Sequence, residues 1–342
     1  MPTTTTAGAS WSNLRTAAPE PNRRPTSSLT AEKISAGWTP VATSVATRRR
    51  AACSSASSPS ASRDSDAVAT FRAATDVDDA KGQAARARAL VQGGKHDCYV
   101  LNPIGGDNLV PAFRGVTRPV VNVDSRIDQV AARRAGMRIG TYIGTDDAAA
   151  GELAATEMLS VLGGHGEVAL VGGYSVGSTL RLSLSGFMRG VAGTQIKIVA
   201  RADAGYDRGR AQLAARRILR DHPNVAGFFA ANDVMALGIA DAVQAAHKRG
   251  AVEVIGMDAI PAALDAVRAG VLSGTVAQYP YVMGRMAIEA CIAAARGAKL
   301  PTRVNTPIVL VTKKNVAEAN AAFPMPPRPY ADPFARLLHG HR

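Results

Sequence analysis

Residues 228–233 of the chain read FFAAND, an apolar run that ends in an amide and a carboxylate. Two further apolar runs are followed by a polar side chain. Residues 252–258 read VEVIGMD and end in a carboxylate, and residues 274–280 read GTVAQYP and carry an amide. Each apolar run has the length and composition of a buried strand, and its polar residues stand where the strand would end. Because the carboxyl ends of parallel strands border the binding crevice of an open α/β sheet, the three stretches predict side chains that converge on one small polyhydroxylated ligand.

Strand and helix signals alternate on both sides of these stretches, from residue 67 onward. Residues 119–124 and 168–171 read as strands, and the Asp pair at 146–147 reads as the start of a helix that runs to residue 162. Regular alternation of this kind predicts parallel sheets with helices on both faces. The length of 342 residues suits two domains of ordinary size.

Both ends of the chain differ from this pattern. Residues 1–66 alternate Ser, Thr and Pro tracts with basic clusters and show no lasting periodicity, so this segment is predicted to be disordered. It contains no apolar stretch that would suit a secretory signal. Residues 316–342 are predicted to form a tail that trails from the fold, because 324–329 are rich in proline and the end of the chain is basic.

The distribution of charge decides what the basic composition means. The chain carries 40 Lys and Arg against 27 Asp and Glu, a formal net charge of +13. Part of this excess lies in the N-terminal segment, and much of the rest alternates with apolar residues, which is typical of the solvated face of an amphipathic helix. Nucleic acid is therefore not an expected partner. The basic residues of one such face are Arg208, Arg210, Arg216, Arg217 and Arg220.

The sequence shows no recognisable reaction centre. The six histidines form no HExxH pair, and neither a Gly-x-Ser-x-Gly elbow nor a Ser-His-acid triad is visible. The three cysteines, Cys53, Cys98 and Cys291, are an odd number at wide spacing, so they predict isolated thiols rather than a disulfide framework or a zinc site. We therefore predict a protein that is not an enzyme and that uses no cofactor or metal.

Five short motifs resemble the ribose-type sugar-binding proteins of bacterial ABC transporters, which have the type I periplasmic binding fold. Each motif is short, but their order along the chain is the order in that family. The resemblance runs from residue 67 to residue 316. The motifs are 101–103 (LNP), 120–124 (VVNVD), 231–238 (ANDVMALG), 256–258 (GMD) with Pro261, and 275–280 (TVAQYP).

The resemblance implies two doubly wound parallel-sheet lobes that are joined by a hinge and close over a sugar. One lobe would hold 67–145 and 279–308, and the other would hold 146–278 and 309–315. Residues before 67 show no recognisable counterpart of the family's first strand and helix. Either this segment folds in a way that its pattern does not reveal, or it is not native to the fold and the two elements are missing. The resemblance also implies a monomer in the periplasm or at the cell surface that serves ABC permease membrane subunits, although no export signal is visible.

Four polar residues match family positions that contact sugar. A sugar hydroxyl both donates and accepts hydrogen bonds, so a mixture of carboxylates and amides suits it. Because charge-assisted hydrogen bonds are stronger than neutral ones, the two carboxylates should contribute most. Each residue also has an ordinary explanation, either as a helix cap, as a turn or loop residue, or as a hydrogen-bonding residue of the hinge. In chain order they are Asp124, Asn232, Asp258 and Gln278.

The arginines depart from the family pattern. Arg181 matches the first of two arginines that the family often places before a Gly-Phe pair, and it is the fifth candidate ligand-binding residue, with a simple surface charge as the alternative. Ser183 replaces the second arginine, and Ser125 follows Asp124 where sugar binders commonly have arginine. The loss of two guanidinium groups removes bidentate anchoring and leaves more room. The ligand is therefore predicted to be a different sugar or a polyol.

A transcription regulator of the lactose-repressor type is the alternative function, since the sensor core of such regulators shares this fold. It would need a helix-turn-helix near its N-terminus, for which residues 31–47 are the available stretch. Pro40 and the lack of a clean second helix disfavour that motif.

Overall fold

The computed structural model describes residues 43–49, 67–76, 79–173 and 178–339, and the strands in these ranges form two sheets. In the first sheet the strands lie side by side in the order β11-β5-β4-β3-β1-β2. The neighbouring pairs β3 with β4, β4 with β5, and β5 with β11 are parallel. These strands are β1 (Thr43–Arg49), β2 (Ala67–Ala73), β3 (Cys98–Leu101), β4 (Val120–Val123), β5 (Ile139–Gly144) and β11 (Arg303–Asn305).

The second sheet has the order β12-β10-β9-β8-β6-β7, and all of its pairs are parallel except β10 with β12. This arrangement of two sheets in one α/β chain confirms the predicted fold class. The strands are β6 (His165–Gly172), β7 (Gln195–Asp203), β8 (Val225–Ala230), β9 (Glu253–Asp258), β10 (Gly274–Ala277) and β12 (Val309–Thr312). We call the part of the chain around each sheet a lobe.

Helices cover the sheets. Within the described ranges no helix has both the length and the apolar character required to cross a bilayer. The helices are α1 (Ala80–Gln92), α2 (Gln129–Arg134), α3 (Asp147–Leu162), α4 (Ser178–Gly190), α5 (Arg208–Asp221), α6 (Asp233–Ala245), α7 (Pro261–Arg268), α8 (Pro280–Ala295), α9 (Val316–Ala322) and α10 (Pro333–His339).

Strand β8 shows why its apolar sequence fixes the fold of the second lobe. Phe228 and Phe229 are both fully buried, and they belong to core clusters on opposite faces of the sheet. On one face the ring of Phe229 stacks on Phe187 of α4, with ring centroids 4.8 Å apart. Because successive side chains of a strand point to opposite faces, an uninterrupted apolar run needs helices on both sides.

Strand β1 corrects part of the prediction for residues 1–66. It lies between β2 and β3 and pairs antiparallel with both of them, so the first sheet is not short of a strand at this position. The stretch has β-branched residues at alternate positions, namely Thr43, Val45 and Thr47, which favours a strand once neighbours are present to pair with. The other residues of the segment, 1–42 and 50–66, lie outside the described residues. The prediction about the family's first helix falls on these residues.

The structure also corrects the predicted tail at 316–342, of which it describes 316–339. Helix α9 packs on α7, and α10 packs on α8. The side chain of Phe334 on α10 is fully buried, and Arg285 of α8 donates hydrogen bonds to the hydroxyl of Tyr330 at 2.6 Å and to the carboxylate of Asp332 at 2.7 Å. A buried ring and an ion pair therefore hold this proline-rich segment against the first lobe.

A disulfide between Cys98 and Cys291 corrects the prediction of isolated thiols. The two residues are 193 positions apart, and their Cα atoms lie 5.6 Å from each other. Cys98 is on β3 and Cys291 is on α8, which packs directly on that strand, and both are fully buried. Helix packing thus brings together two cysteines that their spacing could not pair. Cys53 lies outside the described residues.

Reduction of this disulfide should lower the free energy of unfolding by about 2–4 kcal/mol, because the cross-link restricts the unfolded chain. Guanidinium denaturation with and without a reductant measures the difference. The Cys53→Ser variant is the control and should lose as much stability on reduction as the unmodified chain does. Equal unfolding midpoints in the two conditions would show that Cys98 and Cys291 are not joined.

Candidate functional site

The polar residues predicted from the sequence lie where strands of both sheets end. Asp124 directly follows β4, and Asp258 is the last residue of β9. Their φ angles are 56° and 117°, a left-handed backbone that is uncommon for residues other than glycine and is often found at functional sites. Asp124 belongs to the first lobe and Asp258 to the second, and the charge of Asp124 is one of the causes that raise the pKa of Asp258. We call the region between the lobes where Asp124, Asp258 and Gln278 stand the interlobe cleft.

Asp124 is held by residues of the first lobe. Its Oδ2 accepts a hydrogen bond of 3.1 Å from Nδ2 of Asn102, and its backbone carbonyl accepts one of 2.7 Å from the hydroxyl of Tyr142. The other amide atom of Asn102 accepts a hydrogen bond from the backbone of Ser125. Burial raises the pKa of Asp124, while the hydrogen bond from Asn102 lowers it. The sequence motif LNP therefore supplies a supporting residue, Asn102, that was not singled out as part of the site.

Gln278 connects the two lobes. Its Nε2 donates a hydrogen bond of 2.8 Å to Oδ1 of Asp258, and its Oε1 accepts one of 2.5 Å from the hydroxyl of Thr145. Thr145 directly follows β5 of the first sheet, so these hydrogen bonds pass from the first lobe to the end of β9 in the second. Burial raises the pKa of Asp258 well above its ordinary range, and the charge of Asp233 raises it further.

Asn232 lies at the start of α6. Its Oδ1 accepts a hydrogen bond of 2.9 Å from the backbone nitrogen of Met235, so its side chain caps the helix, and the residue is only 8% exposed. This is the ordinary explanation that the sequence offered for Asn232. Because the cap uses the carbonyl oxygen, the amide nitrogen is the group that Asn232 could offer to a ligand.

Asp233 is fully buried and shapes the turn that carries Asp258. Its Oδ1 accepts a hydrogen bond of 2.7 Å from the hydroxyl of Thr275, and its Oδ2 accepts one of 2.9 Å from the backbone nitrogen of Ile260. A Cβ at Gly256 would collide with the Asp233 carboxylate, so glycine at this position of β9 makes the contact possible. Burial raises the pKa of Asp233 to about 7.

Tyr206 supplies an aromatic ring at the turn between β7 and α5. It has a left-handed φ of 59°, and its ring lies so close to Gly173 that a Cβ there would collide with it. Burial, followed by the charges of Asp258, Asp124 and Asp147, raises the pKa of the phenol to about 12. Aromatic rings offer apolar faces that can cover the C–H surface of a sugar. Tyr206 is not among the residues predicted from the sequence. The pattern that could have pointed to it is a lone aromatic residue at a strand-to-helix turn.

Arg181 is placed differently from the other four candidates. It is exposed on α4, and among the described residues it forms no hydrogen bond with any of them. Residues 174–177, which precede this helix, lie outside the described residues. The ordinary explanation of Arg181 as a surface charge fits this exposure, while its role in binding stays a prediction.

Asp147 is a buried carboxylate, whereas the sequence pattern predicted it only as part of a helix cap. The cap is Asp146, whose Oδ1 accepts a hydrogen bond of 3.2 Å from the backbone nitrogen of Ala149. Asp147 itself is 2% exposed, and its Oδ2 has no hydrogen-bond partner among the described residues. Burial, followed by the charge of Asp124, raises the pKa of Asp147 to about 7.

Replacing Asp147 with asparagine should stabilise the ligand-free protein at high pH. Its pKa is about 7 in the folded protein against an ordinary value of 3.8. Between these values the unfolded chain has released a proton that the folded chain still holds, so the contribution of Asp147 to the free energy of unfolding falls as pH rises and is least favourable above pH 7. The variant should gain on the order of 4 kcal/mol at pH 8 and little at pH 4. Urea denaturation at both pH values measures the gain, and a gain that does not change with pH would contradict this account.

The family model for the periplasmic binding protein domain matches residues 61–299. The chain is 34% identical to the D-allose-binding periplasmic protein of Escherichia coli K12 over 203 residues, which are 58% of this chain and 65% of that protein. It is 30% identical to the ribose import binding protein RbsB of Bacillus subtilis 168 over 239 residues, which are 69% of this chain and 75% of that protein. A solved ABC transporter periplasmic solute binding protein from Actinobacillus succinogenes 130z, with bound D-allose, has a TM-score of 0.66 and 29% identity over 70% of this chain and 85% of its own.

These similarities confirm the resemblance that the motifs indicated. The matched relatives are named as binding proteins, which favours the solute-binding prediction over the lactose-repressor-type regulator. The aligned part spans 65% of the Escherichia coli relative, somewhat less than two thirds of its length. The chain belongs to the family described by the periplasmic binding protein domain.

Proposed function

We propose that this protein is the solute-binding component of an ABC importer and binds a monosaccharide or polyol in the interlobe cleft. The observation that carries the proposal is the hydrogen-bonded link from Thr145 through Gln278 to Asp258, at a crossing point between the lobes. Asp124 directly follows β4 of the first lobe and Asp258 ends β9 of the second, so a hydrogen-bond acceptor stands at a strand end in each lobe. Sugar hydroxyls can donate to both.

A ligand that contacts both lobes can favour one relative position of the lobes over another. Contacts to Asp124 and Asp258 would exist together only when the two strand ends are close, so such a ligand stabilises the closed form. Gln278 and Thr145 lie at the hinge, where a change in the angle between the lobes would alter their hydrogen bond. Closure then distinguishes the loaded from the empty protein and allows a permease to recognise the loaded form.

The proposed setting is the periplasm or the cell surface, with the protein acting as a monomer beside ABC permease membrane subunits. The Cys98–Cys291 disulfide supports this setting, because disulfides persist in oxidising compartments and are rare in the cytosol. The names of the relatives, which include a periplasmic allose-binding protein and a ribose import protein, support it as well. We propose that the protein binds its solute without transforming it.

A thermal-shift screen over pentoses, hexoses and polyols tests the proposed function. A ligand present at about 100 times its dissociation constant adds about 2.7 kcal/mol to the stability of the native state. For a protein of this size each kcal/mol corresponds to about 2–4 °C, so at least one compound should raise the Tm by about 5–10 °C. If no sugar or polyol in the screen shifts the Tm, the proposal fails. A DNA gel shift that responds to a sugar would support the regulator instead.

A further inference from the structure

Gln83 is a polar side chain in the interior of the first lobe. It lies on α1 and is 1% exposed, while the other buried residues of that helix are Ala87 and Leu90. An apolar residue would suit such a position, because a buried amide is costly unless its hydrogen bonds are satisfied. The helix itself gives no reason for a glutamine here, so the reason lies in what the side chain contacts.

The amide of Gln83 makes three hydrogen bonds to the loop that follows β3. Its Nε2 donates to the backbone carbonyl of Asn102 at 2.8 Å. Its Oε1 accepts from the backbone nitrogen of Ile104 at 3.1 Å and from Nδ2 of Asn108 at 2.7 Å. One side chain of α1 thus fixes the loop 102–108 near both of its ends.

The composition of this loop explains why it needs such contacts. It reads NPIGGDN, and its two adjacent glycines have more backbone freedom than other residues. Oδ1 of Asn108 accepts a hydrogen bond of 3.2 Å from the backbone nitrogen of Gly105, and its Nδ2 also donates one of 3.2 Å to the carbonyl of Ala80 on α1. Side-chain hydrogen bonds therefore order a loop that its glycines would by themselves leave free to move.

The ordered loop carries the residue that holds Asp124. Nδ2 of Asn102 donates a hydrogen bond of 3.1 Å to Oδ2 of Asp124, and Oδ1 of Asn102 accepts one of 3.1 Å from the backbone nitrogen of Ser125. The backbone carbonyl of the same Asn102 is the acceptor for Gln83. Asp124 is partly exposed, whereas Gln83 is buried, so a solute would contact Asp124 and depend on Gln83 only through Asn102.

We propose that Gln83 is a positioning residue of the solute site, which raises the affinity for the sugar or polyol by holding Asn102, and through it Asp124, in the binding geometry. The proposal rests on the proposed function, since it concerns the same cleft. Hydrogen bonds that exist before the solute arrives reduce the ordering cost of binding. Without the Gln83 amide, the loop 102–108 would have to be ordered by the solute itself, at the expense of affinity.

Isothermal titration calorimetry of the full chain tests the proposal through Gln83→Met, which keeps the length of the side chain and removes its hydrogen bonds. The titrant is the compound with the largest thermal shift among D-ribose, L-arabinose, D-glucose, D-galactose, D-mannitol and myo-inositol. Gln83→Met should weaken its binding about 10-fold. Gln92→Met makes the same change at the exposed end of α1 and should bind as tightly as the unmodified chain.

A second background separates positioning from a general loss of stability. Asn102→Ala removes the link between the loop and Asp124, so adding Gln83→Met to it should change the affinity by no more than about 2-fold. A side chain that only stabilises the fold would give the same factor in both backgrounds. The Tm of each protein without solute shows whether it folds. Asn108→Ala removes a partner of Gln83 and should also weaken binding, and it takes the place of Gln83→Met if that variant does not fold.

The outcomes separate this proposal from the proposed function. If Gln83→Met binds as tightly as Gln92→Met, or if it loses the same affinity with and without Asn102, the proposal is overturned while solute binding stands. If none of these compounds binds to the unmodified chain, the proposed function fails and this proposal fails with it. A loss of affinity that requires Asn102 and is absent from Gln92→Met supports the assignment.

Discussion

Replacing Asp258 with alanine is expected to lower the affinity for the solute about 100-fold, or about 2.8 kcal/mol. Asp258 is held at the end of β9 by a hydrogen bond from Gln278, and it is partly exposed to the cleft. Its loss removes a hydrogen-bonding group that the solute would contact, and it also leaves Nε2 of Gln278 without its partner. Calorimetric titration with whichever sugar or polyol gives the largest thermal shift measures the effect.

Two further variants make the Asp258 result interpretable. Asp258→Asn keeps the shape of the side chain and should lose less affinity than the alanine variant, because an amide oxygen can still accept. Asp265→Ala removes an exposed carboxylate that pairs with Arg268 at 2.8 Å, and its affinity should equal that of the unmodified protein. Because burial already disfavours the charge of Asp258, the variants should remain folded. Equal affinities for all of these proteins would show that Asp258 does not contact the solute.

Replacing Phe334 with alanine is expected to lower the free energy of unfolding by about 3–5 kcal/mol. The ring is fully buried in a core cluster that also contains Met286 and Cys291 of α8. Asp332 immediately precedes helix α10, and its Oδ1 accepts hydrogen bonds from the backbone nitrogens of Phe334 and Ala335. The alanine variant would leave a cavity between α10 and α8, and the segment would lose its main apolar contact. Urea denaturation monitored by circular dichroism measures the change.

Leu337 offers a matched control on the same helix. It is 40% exposed, so Leu337→Ala should change the free energy of unfolding by about 0.5 kcal/mol or less. If Phe334→Ala is as stable as Leu337→Ala, helix α10 does not pack on the first lobe, and the C-terminal segment is the tail that its composition suggests.

Much of the fold was predictable because strand and helix signals are local. The apolar run before Asn232 has to be covered on both faces, and the structure places its two phenylalanines in separate core clusters. Asp124, Asp258 and Gln278 stand where the buried apolar runs of β4, β9 and β10 stop. The position of these polar residues at one edge of a sheet was predictable, since parallel strands bring their carboxyl ends to one edge. The hydrogen bond between Asp258 and Gln278 agrees with this expectation.

Three features of the site lay beyond the sequence pattern. The pair at 146–147 reads as a double cap, but only the contacts around it show that Asp146 caps while Asp147 is buried. Tyr206 is one aromatic residue in a polar turn, and only the structure shows that its ring lies against Gly173. Asp233 reads as a first-turn residue of α6, whereas its bonds to Thr275 and Ile260 hold the turn of Asp258.

The sequence by itself determined the α/β class, the order of the elements and the strand ends that carry polar side chains, because periodicity and turn chemistry act between residues close in the chain. Only the tertiary structure decided that Cys98 meets Cys291, that Phe334 enters the core, and that β1 fills a place in the first sheet. Each of these depends on packing between residues that are distant in sequence. No local pattern records which of the possible distant partners a side chain will meet.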